Sequence, residues 1–70
     1  MTPSEARALT FQSRVQRTVD ENLEEVRQFA SAGNSGSYFK TLYKDPAVNQ
    51  EAAEKLRQSG YNVELGHVTW

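Results

Sequence analysis

The stretch that decides the fold is GYNVELGHVTW, residues 60–70. In it Tyr61, Val63 and Leu65 alternate with polar residues, the period of two that is typical of a half-buried strand. Gly60 stands before the strand, at a position where helices commonly end on a residue that tolerates positive φ. The stretch therefore predicts a helix end, a strand, a tight turn and a second strand.

The predicted β-hairpin covers residues 61–70. A type II′ turn needs positive φ at its first central position, so we centre the turn on Gly66 and His67. The cross-strand pairs that follow, which place the apolar side chains on one face, are Leu65 with Val68 and Val63 with Trp70. Because a tryptophan on a frayed end would bury no apolar surface, we expect Trp70 to be built into the core.

Seventy residues form one domain, of a size that buries only roughly 60% of the surface that its unfolded chain exposes. The chain has no cysteine, so no disulfide can add stability. Well-packed helices and association with other copies are the remaining sources. The net charge of −1 also disfavours non-specific binding to a nucleic acid polymer, which depends on neutralising phosphates.

The N-terminal region lacks the basic segment and the apolar segment of a signal peptide, and no apolar run has membrane-spanning length. We therefore expect a cytoplasmic protein with no membrane partner. The absence of cysteine agrees with that compartment.

A long first helix is predicted over residues 2–32. Thr2 and Glu5 have the spacing of a capping box, and Pro3 stands at the first helical position, where its missing N–H costs nothing. Gly33 is expected to end the helix. The apolar residues recur at spacings of three or four and form one stripe: Ala8, Phe11, Val15, Val19, Leu23, Val26 and Ala30.

This helix is longer than the diameter of a compact domain of 70 residues. About 30 helical residues make a rod of roughly 45 Å, whereas a compact domain of this size has a diameter under about 30 Å. Some of Phe11, Val15 and Val19 then lack cover from their own chain, and we expect these residues to form an oligomer interface. The alternative is a kink near Thr18 and Asp20 that folds the helix back.

Residues 37–44 are rich in aromatic and β-favouring side chains and predict a strand. Asp45 and Pro46 repeat the chemistry of a helix start, so a second helix is predicted over residues 46–59. Its buried stripe is Val48, Ala52, Ala53 and Leu56. The order helix, strand, helix, hairpin predicts an α+β domain with a three-stranded sheet packed on helices. The first two strands are expected to run parallel, either adjacent or with the third between them.

His67 is the single histidine, and no second histidine or cysteine stands at metal-ligand spacing. No nucleophile and base can be paired either, so we expect no enzyme, no metal and no cofactor. The acidic group of the first helix has spacings that suit a hard cation, but a solvated helix face is the simpler interpretation. Its members are Asp20, Glu21, Glu24 and Glu25.

The turn over residues 33–37 is short and rich in backbone and hydroxyl donors, so it is either an anion-binding nest or a plain connector. Basic side chains on the first helix, together with basic and aromatic ones near the strand, have the mix that a nucleotide pocket between copies uses. Scattered solubilising charge is the alternative. The candidate ligand-binding residues are Arg14, Arg17, Ser35, Tyr38, Lys40 and Tyr43.

A set of spaced positions runs from the second helix into the hairpin: Leu56, Gly60, Tyr61, Val63, Val68 and Trp70. Looser matches are Tyr38, Ala6, Ala8 and Leu9. In these positions the chain resembles a group of short α+β proteins encoded by tailed bacteriophages. The resemblance covers most of the chain and implies a fold and a setting, the cytoplasm of a host bacterium. It carries no catalytic motif.

The resemblance also implies a role in immune evasion. Small phage proteins without catalytic residues often act on the host by stoichiometric binding, and one such class consists of oligomeric sponges. These sequester nucleotide messengers such as cyclic oligonucleotides or cyclic ADP-ribose derivatives. We therefore expect a non-enzymatic anti-defence protein that binds such a messenger as a homo-oligomer. The alternative is a protein inhibitor or adaptor that binds a host enzyme through the exposed apolar helix face.

Overall fold

Two helices and a three-stranded antiparallel sheet make up the computed structural model, which describes residues 1–70. The predicted α+β class is confirmed. In chain order the elements are α1 (Pro3–Ser31), β1 (Gly36–Tyr38), α2 (Pro46–Gln58), β2 (Asn62–Glu64) and β3 (His67–Thr69). Strand β3 lies between β1 and β2 and is antiparallel to both. Strands β1 and β2 therefore run parallel with the third strand between them, one of the two expected arrangements.

Helix α1 begins at the predicted capping box. The Thr2 hydroxyl accepts from the Glu5 N–H and the Thr2 N–H donates to the Glu5 carboxylate, both at 3.1 Å. The second of these hydrogen bonds holds the pKa of Glu5 below its usual value. The helix then continues without a break for 29 residues, so the kinked alternative near Thr18 is wrong.

Both helices end on a glycine with positive φ, Gly33 at 88° and Gly60 at 102°. At the end of α2 the Tyr61 N–H donates to the Leu56 carbonyl at 3.2 Å. The Gly60 N–H donates to the Arg57 carbonyl at 3.0 Å, which completes a Schellman motif. This motif directs the chain from α2 straight into the hairpin.

Nine apolar residues form the core between the helices and the sheet: Val15, Val19, Val26, Val48, Ala52, Ala53, Leu56, Val63 and Val68. The predicted stripe of α2 is confirmed, because all four of its members are buried. On α1 the stripe differs from the prediction. Ala8, Leu23 and Ala30 are exposed, and their places on the core face are taken by the polar residues Thr18 and Asn22, which are fully buried.

Asn22 is buried because the rest of the chain satisfies its amide. Its nitrogen donates to the carbonyls of Thr18 at 2.8 Å and Lys40 at 2.9 Å, and its oxygen accepts from the Lys40 N–H at 2.8 Å. A buried polar group is tolerated when it is hydrogen-bonded in this way. The side chain therefore attaches the backbone of Lys40 to the middle of α1.

Strand β1 is shorter than the strand predicted over residues 37–44 and covers Gly36–Tyr38 alone. The Phe39 N–H still donates to the Gly66 carbonyl at 2.7 Å. Gly66 belongs to the hairpin turn, so β3 offers no further residues for pairing beyond this bond. At Lys40 the backbone bonds to Asn22 of α1 instead, and the predicted strand ends early for that reason.

The hairpin turns one residue earlier than predicted. Leu65 and Gly66 form the turn with φ of 50° and 79°, the two positive values of a type I′ turn. The observed pairs are Val63 with Val68, Glu64 with His67 and Asn62 with Thr69, so the predicted pairs of Leu65 with Val68 and Val63 with Trp70 are wrong. The observed register sets two valines opposite each other over the core and leaves Leu65 97% exposed.

Trp70 follows β3 at the end of the sheet. Its N–H donates to the Ser35 carbonyl at 3.1 Å, and its ring meets Tyr61 edge to face at a centroid distance of 6.4 Å. Trp70 is still 39% exposed. The residue is therefore attached to the sheet by its backbone. The expectation that Trp70 belongs to the core is wrong.

The N-terminal part of α1 projects beyond the body of the domain. The molecule measures 47 × 21 × 20 Å, and its radius of gyration is 13.2 Å, against about 11 Å for a compact chain of this length. Residues 1–10 are all exposed. We call these residues the overhang. Neither helix combines the length and the apolarity that crossing a membrane requires.

Replacing the buried amide, Asn22→Ala, is expected to lower the free energy of unfolding by about 2 to 4 kcal/mol, because the backbone N–H and carbonyl of Lys40 lose their partner. Urea denaturation followed by circular dichroism measures this. Asn62→Ala, which removes an exposed amide, serves as the matched control and should change stability by less than about 0.5 kcal/mol. Equal losses in both variants would show that the Asn22 bonds contribute nothing.

Replacing the turn leucine, Leu65→Asn, is expected to stabilise the protein by about 1 kcal/mol, since asparagine tolerates positive φ and leucine does not. A thermal melt measures the change. Leu65→Ala keeps the unfavourable φ and loses an exposed side chain, so its melting temperature should stay close to that of the natural chain. A rise of the same size in both variants would contradict the conformational explanation.

Candidate functional site

The clearest cluster of candidate ligand-binding residues lies where the segment after β1 returns along α1. The guanidinium carbon of Arg14 lies 5.1 Å from the centroid of the Tyr43 ring, within the range of a cation–π contact. Tyr43 is half-buried and packs against the core, so its ring has a defined position. The structure thus brings together two of the predicted residues that are 29 positions apart in the chain.

Lys40 joins the same side of the molecule. Its ammonium lies 3.5 Å from a carboxylate oxygen of Glu21, and its backbone is bonded to Asn22. Lys40 therefore lies beside Asn22 and Tyr43 beside Arg14, two helical turns or about 12 Å apart along α1. The segment between Lys40 and Tyr43 runs antiparallel to the helix along this distance.

Arg17 lies between these two contacts on α1, one turn after Arg14 and one turn before Glu21, a spacing that places all three on one side of the helix. Its side chain is exposed. We call the four residues Arg14, Arg17, Lys40 and Tyr43 the basic-aromatic strip.

The charges of the strip differ in how far they are neutralised. The ion pairs of the chain join Arg27 to Glu24, Lys40 to Glu21 and Arg57 to Glu54. Neither Arg14 nor Arg17 takes part in one. Two guanidinium groups, each suited to bidentate contact with a phosphate, therefore have no carboxylate partner, and that of Arg14 lies over an aromatic ring.

Ser35 and Tyr38 lie apart from the strip. Tyr38 projects from the solvent face of the sheet, is 69% exposed and packs against His67 with ring centroids 5.3 Å apart. The carbonyl of Ser35 accepts from Trp70 at the end of the sheet. A shallow cavity of about 230 Å³ lies between the end of α1 and this face and is lined by Phe29, Asn34, Gly36, Ser37, Tyr38, His67 and Thr69. The six predicted residues therefore do not form one site.

The acidic group of α1 and His67 lie at separate places in the fold. No three His, Asp or Glu side chains are grouped closely enough to hold an ion. Arg27 donates to Glu24 at 2.8 Å and thereby lowers the pKa of that carboxyl, while Glu21 pairs with Lys40. These contacts agree with the interpretation of the acidic group as a solvated helix face.

The expected oligomer interface is wrong for two of its three residues. Val15 and Val19 are buried in the core of their own chain, because α2 and the sheet cover the middle of α1. Phe11 is half-buried at the edge of the core, directly after the last residue of the overhang. What stays uncovered is the overhang itself, whose largest exposed apolar side chains are Met1 and Leu9.

A groove lies between α1 and α2, just after the end of the overhang. Its volume is about 700 Å³, and its apolar floor is formed by Phe11 and Val15. The polar rim consists of Gln12, Ser13, Gln16, Glu51 and Lys55. The groove therefore combines an apolar floor with a polar rim.

Sequence reasoning missed the role of Asn22 and of Glu21. Asn22 stands four residues before Val26 and seven after Val15, so it falls on the buried face of α1. A polar residue in that position was the available signal for a hydrogen bond to another segment. Glu21, its neighbour, is the carboxylate that Lys40 meets as a result.

Comparison with known proteins finds no matching family model, no matching curated protein and no matching solved structure. The function is therefore inferred from the geometry of the basic-aromatic strip, the overhang and the groove. Of these, the strip offers the most definite chemistry.

Proposed function

We propose that the protein is a homo-oligomeric anti-defence protein of a bacteriophage that binds and sequesters a nucleotide immune messenger. The observation that carries this proposal is the position of Arg14 over the Tyr43 ring, with Lys40 and Arg17 on the same side of α1. Guanidinium and ammonium groups bind phosphates, and an aromatic ring or a guanidinium plane stacks on a base.

The strip is suited to a ligand that has two phosphates or more. It extends about 12 Å along α1, which exceeds the size of a single phosphate group. Arg14 and Arg17 are free of carboxylate partners, so a ligand need not break an ion pair to reach them. At Lys40 it would compete with Glu21, an exposed pair that costs little to separate.

Self-association is the second part of the proposal. The strip lies on an open surface, whereas small-molecule sites are usually concave and bury most of the ligand. A second copy packed over the strip would close it into a pocket and add a second set of arginines. The exposed overhang provides apolar surface for such contacts, and the resemblance to short phage proteins supports the setting.

Calorimetric titration with cyclic dinucleotides, cyclic trinucleotides and cyclic ADP-ribose tests the ligand. Loss of one charge-assisted contact in Arg14→Ala is expected to weaken binding by about 10- to 100-fold. Arg7→Ala removes an arginine of the same helix that lies outside the strip, and it should leave the affinity unchanged. Absence of heat with every one of these ligands would refute the proposed function.

The groove between α1 and α2 favours a second candidate, an inhibitor or adaptor that binds a host enzyme. A single apolar side chain of a partner would contact Phe11 and Val15 on the floor of the groove. In that case light scattering should show a monomer, and Phe11→Ser should abolish capture of one host protein while Leu23→Ser, on another face of α1, should not. A nucleotide-binding oligomer unaffected by Phe11→Ser would exclude this candidate.

A further inference from the structure

The two edges of the sheet differ in how their backbone groups are used. At the outer edge of β2 the carbonyl of Val63 accepts two hydrogen bonds from the Arg57 guanidinium, at 3.2 Å from Nε and 2.7 Å from Nη2. A charged side chain held against a strand edge prevents another strand from pairing there. The β2 edge is therefore blocked by the chain itself.

The edge of β1 is open. Toward β3, the carbonyl of Ser35 accepts from Trp70, Ser37 pairs with Val68 and the Phe39 N–H donates to Gly66. Antiparallel strands bond through alternate residues, so the intervening Gly36 and Tyr38 direct their N–H and carbonyl groups away from the sheet. None of these four groups takes part in a hydrogen bond with turns, loops or helix caps.

Two side-chain features of β1 accompany this open edge. Ser37 is 5% exposed, and its hydroxyl has no hydrogen-bond partner within the chain. A buried hydroxyl without a partner costs free energy that a second strand could recover. In contrast to the buried Ser37, Tyr38 is largely exposed on the solvent face of the sheet.

We infer that β1 pairs with β1 of a second copy of this chain, antiparallel about a two-fold axis at Ser37, so that two sheets join into one of six strands. In this arrangement Tyr38 stands opposite Gly36 of the partner subunit, and the two pairs exchange four backbone hydrogen bonds. The two Ser37 residues form the central non-hydrogen-bonded pair, with Cα atoms about 4.5 Å apart, a distance at which hydroxyls bond across strands.

The side chains of β1 suit this pairing. Gly36, Ser37 and Tyr38 carry no charge, so two copies of the edge meet without like-charge repulsion. The exposed ring of Tyr38 gains cover over Gly36 of the partner subunit, a pairing in which an aromatic side chain shields a strand glycine. An edge of three residues contributes much less than the roughly 1,000 Å² of a stable interface, so assembly should depend on protein concentration.

This inference goes beyond the proposed function, because the β1 edge is a different surface from the basic-aromatic strip. A dimer paired through β1 that binds no nucleotide would refute the proposed function and leave the pairing intact. Nucleotide binding by a protein whose β1 edge stays unpaired would do the reverse.

Single-cysteine variants test the two-fold axis directly, since the natural chain has no cysteine. Under oxidised glutathione, Ser37→Cys is expected to form a covalent dimer several times faster than Asn62→Cys, although Ser37 is buried and Asn62 is exposed. Chance collisions would favour the exposed thiol, so the reverse order of rates would overturn the pairing. Non-reducing electrophoresis over time measures both rates.

Hydrogen exchange of the unmodified protein decides the question if Ser37→Cys does not fold. The amides of Gly36 and Tyr38 have no acceptor within the chain, so in a monomer they exchange at rates near those of an unstructured peptide. Pairing predicts that their exchange slows by an order of magnitude or more as the concentration rises from micromolar to millimolar. Fast exchange of both amides at millimolar concentration would overturn the inference.

Discussion

A single buried amide organises the path of this chain. The side chain of Asn22 bonds both backbone groups of Lys40 and so attaches the segment after β1 to the middle of α1. This attachment ends the strand, brings Tyr43 beside Arg14 and leads the chain to Asp45, whose carboxylate caps α2. In a domain with few buried residues, one group that satisfies two backbone partners carries a large share of the specificity.

The length of α1 divides it into two parts with different surroundings. The valines of its central turns are buried under α2 and the sheet, and Val15 is almost completely buried. The overhang, residues 1–10, has no such cover, and the capping box of Thr2 and Glu5 stabilises its helical part. The overhang is therefore stabilised locally, whereas the centre of the helix is stabilised by packing. Surface left free in this way is available for association.

The sheet shows two compromises that the core imposes. Placing Val63 opposite Val68 buries both, but the same register forces Leu65 into a turn position of positive φ. Placing Ser37 opposite Val68 completes the sheet, but it leaves a buried hydroxyl without a partner. Arg57 meanwhile protects the far edge. A strained residue or an unpaired buried group persists in a small protein for one of two reasons. Either core packing offsets its free-energy cost, or a binding partner supplies the missing contact.

The candidate ligand-binding residues could be named from the sequence, but their arrangement could not. Arg14, Lys40 and Tyr43 share one side of α1 within a single chain, because the chain returns along the helix to reach α2. The sequence suggests instead that such residues meet between copies. Tyr38 and Ser35 do not join them, since β1 turns the tyrosine to the other face of the sheet. The side to which a strand residue points depends on pairing with a distant segment, and a one-residue change reverses it.

The sequence by itself determined both helices, their caps and the class of the fold. N-cap side chains, Pro at the first helical position and Gly after the last turn act between residues a few positions apart. Only the tertiary structure decided the length of β1, the register of the hairpin and the burial of Asn22 in place of Leu23. These features depend on contacts between segments far apart in the chain, where satisfying buried backbone groups and packing two valines outweighed local preference.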